Sequence, residues 1–74
     1  MIIVSQDKNS IINFNNISFI EIEKTDDKYE LYFETNDMRG EIGVYATEDR
    51  AEEVLREMII VINHKGEVYQ MPKE

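Results

Sequence analysis

Tyr45-Ala46-Thr47-Glu48-Asp49-Arg50-Ala51-Glu52-Glu53-Val54-Leu55 is the stretch in which alternating apolar and polar residues give way to a helical period. Thr47 carries the side chain of an N-cap, and Glu48 and Asp49 put negative charge at the positive end of a helix dipole. Arg50 stands where a reciprocal capping box needs Glu or Gln. From Ala51 onward, Val54, Leu55, Met58, Ile59 and Ile62 recur every three or four positions, which makes one continuous apolar helix face. The spacing predicts a helix over 48–62. It should end near Asn63-His64-Lys65-Gly66, with the glycine in a left-handed cap.

Before that boundary the period is two. Met1–Ser5 reads as a strand, Gln6-Asp7-Lys8-Asn9 as a polar turn and Ser10–Phe14 as a second strand. Asn15-Asn16 breaks the pattern. Ile17–Lys24, Tyr29–Thr35 and Gly40–Ala46 follow as three more strands. One-sided alternation of this kind suits an antiparallel meander with one face on a core. The expected architecture is therefore α+β: a curved antiparallel sheet of five or six strands, a partial barrel over 1–46, packed on one C-terminal helix. The expected core is Ile20, Ile22, Leu31, Phe33, Ile42, Val44, Val54, Leu55, Met58 and Ile62.

Register is partly readable. Facing Phe33 with Ile42 and Leu31 with Val44 leaves Asn36–Arg39 as the loop and sets Tyr32 over Gly43, whose missing side chain the ring would cover. Between the third and fourth strands, pairing Ile22 with Tyr29 opposes Glu21 to Glu30, and a shift by two exchanges one like-charge clash for another. Both registers stay open.

Ile60 and Val61 fall off the helix's core face. A returning strand over 67–71 could cover them, they could lie in a subunit interface, or the β-branched run could itself be a strand. The unbroken helical period favours the helix. Pro72 ends any regular structure.

The chain has 74 residues and no Cys, enough for one domain over 1–74 and none of the thiol chemistry behind disulfides or thiolate metal sites. A domain of this size buries only about 60% of the surface its unfolded chain exposes, so packing, or packing aided by self-association, must hold it. Net charge is −8: residues 1–46 carry nine acids and four bases, residues 47–74 seven and four. No Lys/Arg cluster exists to neutralise phosphates, so neither direct nucleic-acid binding nor an anionic membrane is expected. The apolar runs at Met1–Ser5 and Met58–Ile62 are too short for a leader or a bilayer span, and the reading is cytoplasmic.

No catalytic, cofactor-binding or metal-binding residues emerge, and the chain is not expected to be an enzyme. His64 is the single histidine, and no nearby nucleophile with an orienting acid can be named for it. Asp26-Asp27 and Asn36-Asp37 read as turn residues, since a calcium loop needs more oxygen ligands at alternating positions. Gly40, Gly43 and Gly66 are scattered and form no phosphate-cradling loop. The candidate interface residues are Tyr32 and Tyr45, both expected on the outer face of the sheet, together with Ile60 and Val61. The apolar edge Met1–Val4 is a further docking surface by strand addition.

Tyr45-x-Thr47-x-x-Arg50-Ala51-x-x-Val54-Leu55-x-x-Met58, followed by Val68-Tyr69-x-Met71-Pro72, resembles a group of small proteins from Gram-positive bacteria and their phages or mobile elements. The opening, an apolar strand, a polar turn and then Ile11-Ile12-Asn13-Phe14, looks like the same group, so the resemblance spans nearly the whole chain. It implies a reduced pleckstrin-homology-like domain, a bent sheet closed by a helix, and carries no catalytic or ligand residues with it. True pleckstrin-homology domains bind phosphoinositides through basic loops. Asp26, Asp27 and Asp37 in the loops here speak against that activity. The functional expectation is a non-enzymatic protein-interaction module or accessory protein with a protein partner, and homo-oligomerisation is open. Two alternatives stand beside it: an acidic inhibitor mimicking nucleic acid, and a small-molecule role.

Overall fold

A computed structural model describes residues 1–74. Six strands and one long helix follow in chain order: β1 (Ile2–Val4), β2 (Ile11–Asn13), a 3-10 turn at Phe14–Asn16, β3 (Phe19–Thr25), β4 (Lys28–Glu34), β5 (Arg39–Tyr45), α1 (Glu48–Asn63) and β6 (Val68–Gln70). The fold is α+β with no closed barrel. The strands divide into two three-stranded sheets, ordered β2-β1-β6 and β3-β4-β5. The second is the expected antiparallel meander. In the first, β1 pairs antiparallel with β2 and parallel with β6, so the tail does return as a strand, but in parallel and beside the N-terminus.

The short loops explain themselves in local hydrogen bonds. Between β1 and β2, Asp7 Oδ1 accepts from Ser5 Oγ at 2.7 Å and from Asn9 N at 2.9 Å. The serine hydroxyl, then the amide, hold the Asp7 carboxyl below its ordinary range. Between β3 and β4, Asp26 takes a left-handed φ of 57°, which a short polar side chain tolerates. Between β4 and β5, Thr35 Oγ1 accepts from Asp37 N at 3.2 Å and Met38 N at 3.1 Å.

The β3–β4 register sets Ile22 opposite Leu31 and Glu23 opposite Glu30. The β4–β5 register departs from expectation. Leu31 faces Gly43, Tyr32 faces Glu41 and Phe33 faces Gly40, with an irregularity between Leu31 and Tyr32. Ile42 is the extra residue of a bulge, and a bulge reverses the in-out phase of the strand beyond it. Val44 therefore turns outward and Tyr45 inward, the opposite of the alternation read from sequence. Ring-over-glycine cover exists, but its partners are Phe33 and Gly40: a Cβ built on Gly40 would lie 2.6 Å from the Phe33 ring.

α1 begins as expected, with Thr47 Oγ1 accepting from Arg50 N at 3.1 Å. At its end Lys65, not Gly66, takes the left-handed φ (55°). Lys65 N donates to Ile62 O at 3.0 Å and Gly66 N to Val61 O at 2.9 Å, the two bonds of a Schellman cap. Gly66 is needed one position later for space, because a Cβ there would strike Val61 Cγ1.

The core gathers Ile3, Leu31, Phe33, Ile42, Tyr45, Ala51, Val54, Met58, Tyr69 and Met71 from both sheets, α1 and the tail. Ile20, Ile22 and Leu55 pack against it half-buried. Two expected core members lie elsewhere: the bulge turns Val44 out, and Ile62, near the end of α1, stands exposed at the rim. The two sheets are joined at Gln6, whose backbone N donates to Ile42 O at 2.8 Å.

Candidate interaction surface

Period-two alternation puts Phe19, Glu21 and Glu23 of β3, Glu30, Tyr32 and Glu34 of β4, and Arg39 and Glu41 of β5 on the face of the meander away from α1. Tyr32 is central. Its hydroxyl donates to Glu21 Oε2 at 2.9 Å, and the Arg39 guanidinium carbon lies 3.8 Å above its ring. Arg39 reaches across β4 to pair with Glu23 on β3. The Phe19 ring meets Tyr32 edge-on, with centroids 6.2 Å apart and planes at 82°. The carboxylate of Glu21, which accepts the phenolic proton, raises the Tyr32 pKa above its ordinary value.

Acid surrounds this aromatic centre. Glu41 titrates above the ordinary carboxyl range, first through partial burial and then through its hydrogen bond with Glu30 and the negative charge of Glu30 and Asp7. No group of three or more His, Asp or Glu side chains is arranged to hold a metal ion. No helix is long and apolar enough to cross a membrane.

The four residues singled out from sequence do not converge. Tyr32 is on the outer face as expected. Tyr45 is 2% exposed, turned inward by the bulge, and its hydroxyl donates to Pro72 O at 2.8 Å. Burial raises its pKa to about 12. Ile60 is 57% exposed on α1, away from the Tyr32 face of the meander. Val61 is half-buried against the core and Gly66. Of the three explanations for that pair, a strand over residues 60–61 is excluded by α1, and β6 runs beside β1 without covering Ile60. Phe19 and Arg39 were missed. Alternation with Glu21 and Glu23 already placed Phe19 outward, and the short β4–β5 hairpin brings Arg39 opposite Glu34.

No protein-family model, curated protein or solved structure matches the chain.

Proposed function

We propose that this protein is a non-enzymatic protein-interaction module that docks its partner on the outer face of β3–β4–β5. In keeping with the resemblance, it is a reduced pleckstrin-homology-like accessory protein of a phage or mobile element. One observation carries the reading: Arg39 is held over the Tyr32 ring while paired to Glu23, with Phe19 alongside, on an open face. Tyr, Arg and Phe are the residue types that anchor interfaces, and side chains already ordered lose less entropy on binding. The test is capture from a Gram-positive host lysate with immobilised wild type and with a Tyr32→Ala, Arg39→Ala variant. A protein retained by the first and lost by the second supports the reading. Equal retention by both rejects this face as the docking site.

A second reading, an acidic inhibitor that occupies a nucleic-acid-binding site, is favoured by the outward row Glu21, Glu30, Glu34 and Glu41 around that centre. Salt separates the two. Binding through carboxylates in place of phosphates weakens steeply as salt rises, and an aromatic anchor holds.

A further inference from the structure

On the other side of β3 an apolar groove of about 280 Å³ runs between the 3-10 turn, the start of β3 and the C-terminal half of α1. Ile20, Leu55 and Met58 form part of its lining, and Phe19, Ile59 and Ile62 stand at it 38%, 50% and 37% exposed. Nothing else in the chain covers these side chains. Along α1 the groove is lined by Leu55, Met58, Ile59 and Ile62. Glu52 continues the stripe of Leu55, Ile59 and Ile62 one turn earlier, at spacings of three, four and three residues, which is the seam of two helices packed side by side.

The ends of that seam carry opposite charge. Glu48, Asp49 and Glu52 lie toward its start. Lys65, which lines the concavity next to Ile62 along with Glu67, lies at its end. Neither Lys65 nor Glu48, Asp49 or Glu52 makes an ion pair within the chain, whose ion pairs join Arg39 to Glu23 and Arg50 to Glu53 and Glu57. From Glu52 to the last helical residue, Asn63, α1 rises about 17 Å, Lys65 follows in the cap, and Met58 and Ile59 lie near midway. A two-fold axis there lays a second α1 antiparallel on the first. Leu55 then meets Ile62 of the second copy, and Glu52 meets its Lys65, twice over. A surface that complements itself under a two-fold is what an isologous dimer requires.

We infer that the α1–β3 groove is the interface of a homodimer, with α1 packed antiparallel on α1 of a second copy around Ile59. The face belongs to this contact and not to the partner docked at Tyr32, although Phe19 borders both.

Sedimentation equilibrium over a wide concentration range tests the inference. Wild type should move from the 8.8 kDa chain mass to twice that mass as concentration rises. Ile59→Lys, at a half-exposed position, should keep the wild-type helix content and melting curve and weaken dimerisation by about tenfold or more. Glu52→Lys and Lys65→Glu should each weaken it by roughly 3–10-fold. The double reversal, with unchanged net charge, should restore it. A wild type that stays monomeric at millimolar concentration, a dimer indifferent to Ile59→Lys, or a double reversal no better than either single change overturns the proposal. Under the first outcome the groove is left to a foreign segment.

Discussion

Gln6 closes both backbone hydrogen bonds of Val44: its carboxamide oxygen accepts from Val44 N at 2.7 Å, and its nitrogen donates to Val44 O at 3.0 Å. The same nitrogen donates to Lys73 O at 2.8 Å. A side chain thus stands in for a neighbouring strand two residues past the bulge at Ile42, and ties the two sheets to the tail. Gln6→Ala leaves these backbone groups without partners and should lower stability by about 1–3 kcal/mol. Gln6→Met, which keeps the shape, should lose a similar amount. A urea titration in which Gln6→Met unfolds with wild type would show that the packing of the stem, not the amide, joins the sheets.

Gly40 is a matter of room. Phe33 is buried and its ring sits where a side chain on Gly40 would go, so the ring must leave its rotamer if a methyl is added. Gly40→Ala should cost about 1–3 kcal/mol as overpacking. In a Phe33→Leu background the same change should cost much less. Equal penalties in both backgrounds would place the strain in the backbone.

Within α1 the order of sensitivity follows burial. Met58 is fully enclosed and Leu55 borders the open groove. Met58→Ala should therefore cost about 2–5 kcal/mol, and Leu55→Ala distinctly less, because part of its surface is already in water. Thermal melting of both variants at low concentration, below any dimerisation, checks the ranking. A larger loss at Leu55 would mean that the helix is rotated from its described face.

Much of this fold is legible from residue patterns, for identifiable reasons. α1 is read from Thr47 and from the spacing of Ala51, Val54 and Met58, local signals that tertiary structure had no cause to override. β3 and β4 follow from alternation. What escapes is whatever depends on one inserted residue or on a distant partner. Nothing in Gly40–Ala46 marks Ile42 as the bulge, so Tyr45 and Val44 are read on the wrong faces. Tyr45 is comfortable inside because Pro72, 27 residues away in sequence, accepts its hydroxyl proton. Between β3 and β4 either register carries a like-charge pair, Glu21–Glu30 in one and, in the one observed, Glu23–Glu30. It is tolerated because Arg39, from the far strand, draws Glu23 away. The interface candidates Tyr32 and Ile60 were found one by one from exposure. The cluster around Tyr32 and the seam around Ile59 are arrangements, visible only once strands and helix are set beside each other.

Two buried tyrosines set the alkaline limit. Burial raises Tyr45 to about 12. Burial, followed by the hydrogen bond to the Glu57 carboxylate, raises Tyr69 further still. Both folded-state values exceed the unfolded value of 10.0, so above that pH the unfolded chain releases phenolic protons that the folded chain retains. Their contribution to stability is complete below pH 10 and is lost as pH rises from there through about 12. Stability should be level across neutral pH as far as these groups are concerned, then fall. Tyr45→Phe should make the fall shallower. Absorbance titration of the folded protein should show Tyr45 and Tyr69 ionising only on alkaline unfolding. Four tyrosines titrating together near their ordinary value would contradict the burial of this pair.

The Tyr32 cluster should matter to binding and hardly at all to folding. Arg39 and Glu23 are open to solvent and Tyr32 is half-buried beneath the guanidinium, and exposed ion pairs add little to stability because water already solvates both charges. Stacking an exposed guanidinium on a ring adds little more. The arrangement nevertheless holds three side chains in one geometry before any partner arrives, and that saving appears only in the complex. Arg39→Ala and Glu23→Gln should therefore leave the melting curve close to wild type. Arg39→Ala should abolish retention of the captured partner, and Glu23→Gln, which frees the guanidinium without removing it, should weaken retention through slower association or faster release. A variant that unfolds the sheet would assign Arg39 a structural duty across β3–β4–β5. A partner retained equally by Arg39→Ala would separate the ordered cluster from any role in docking.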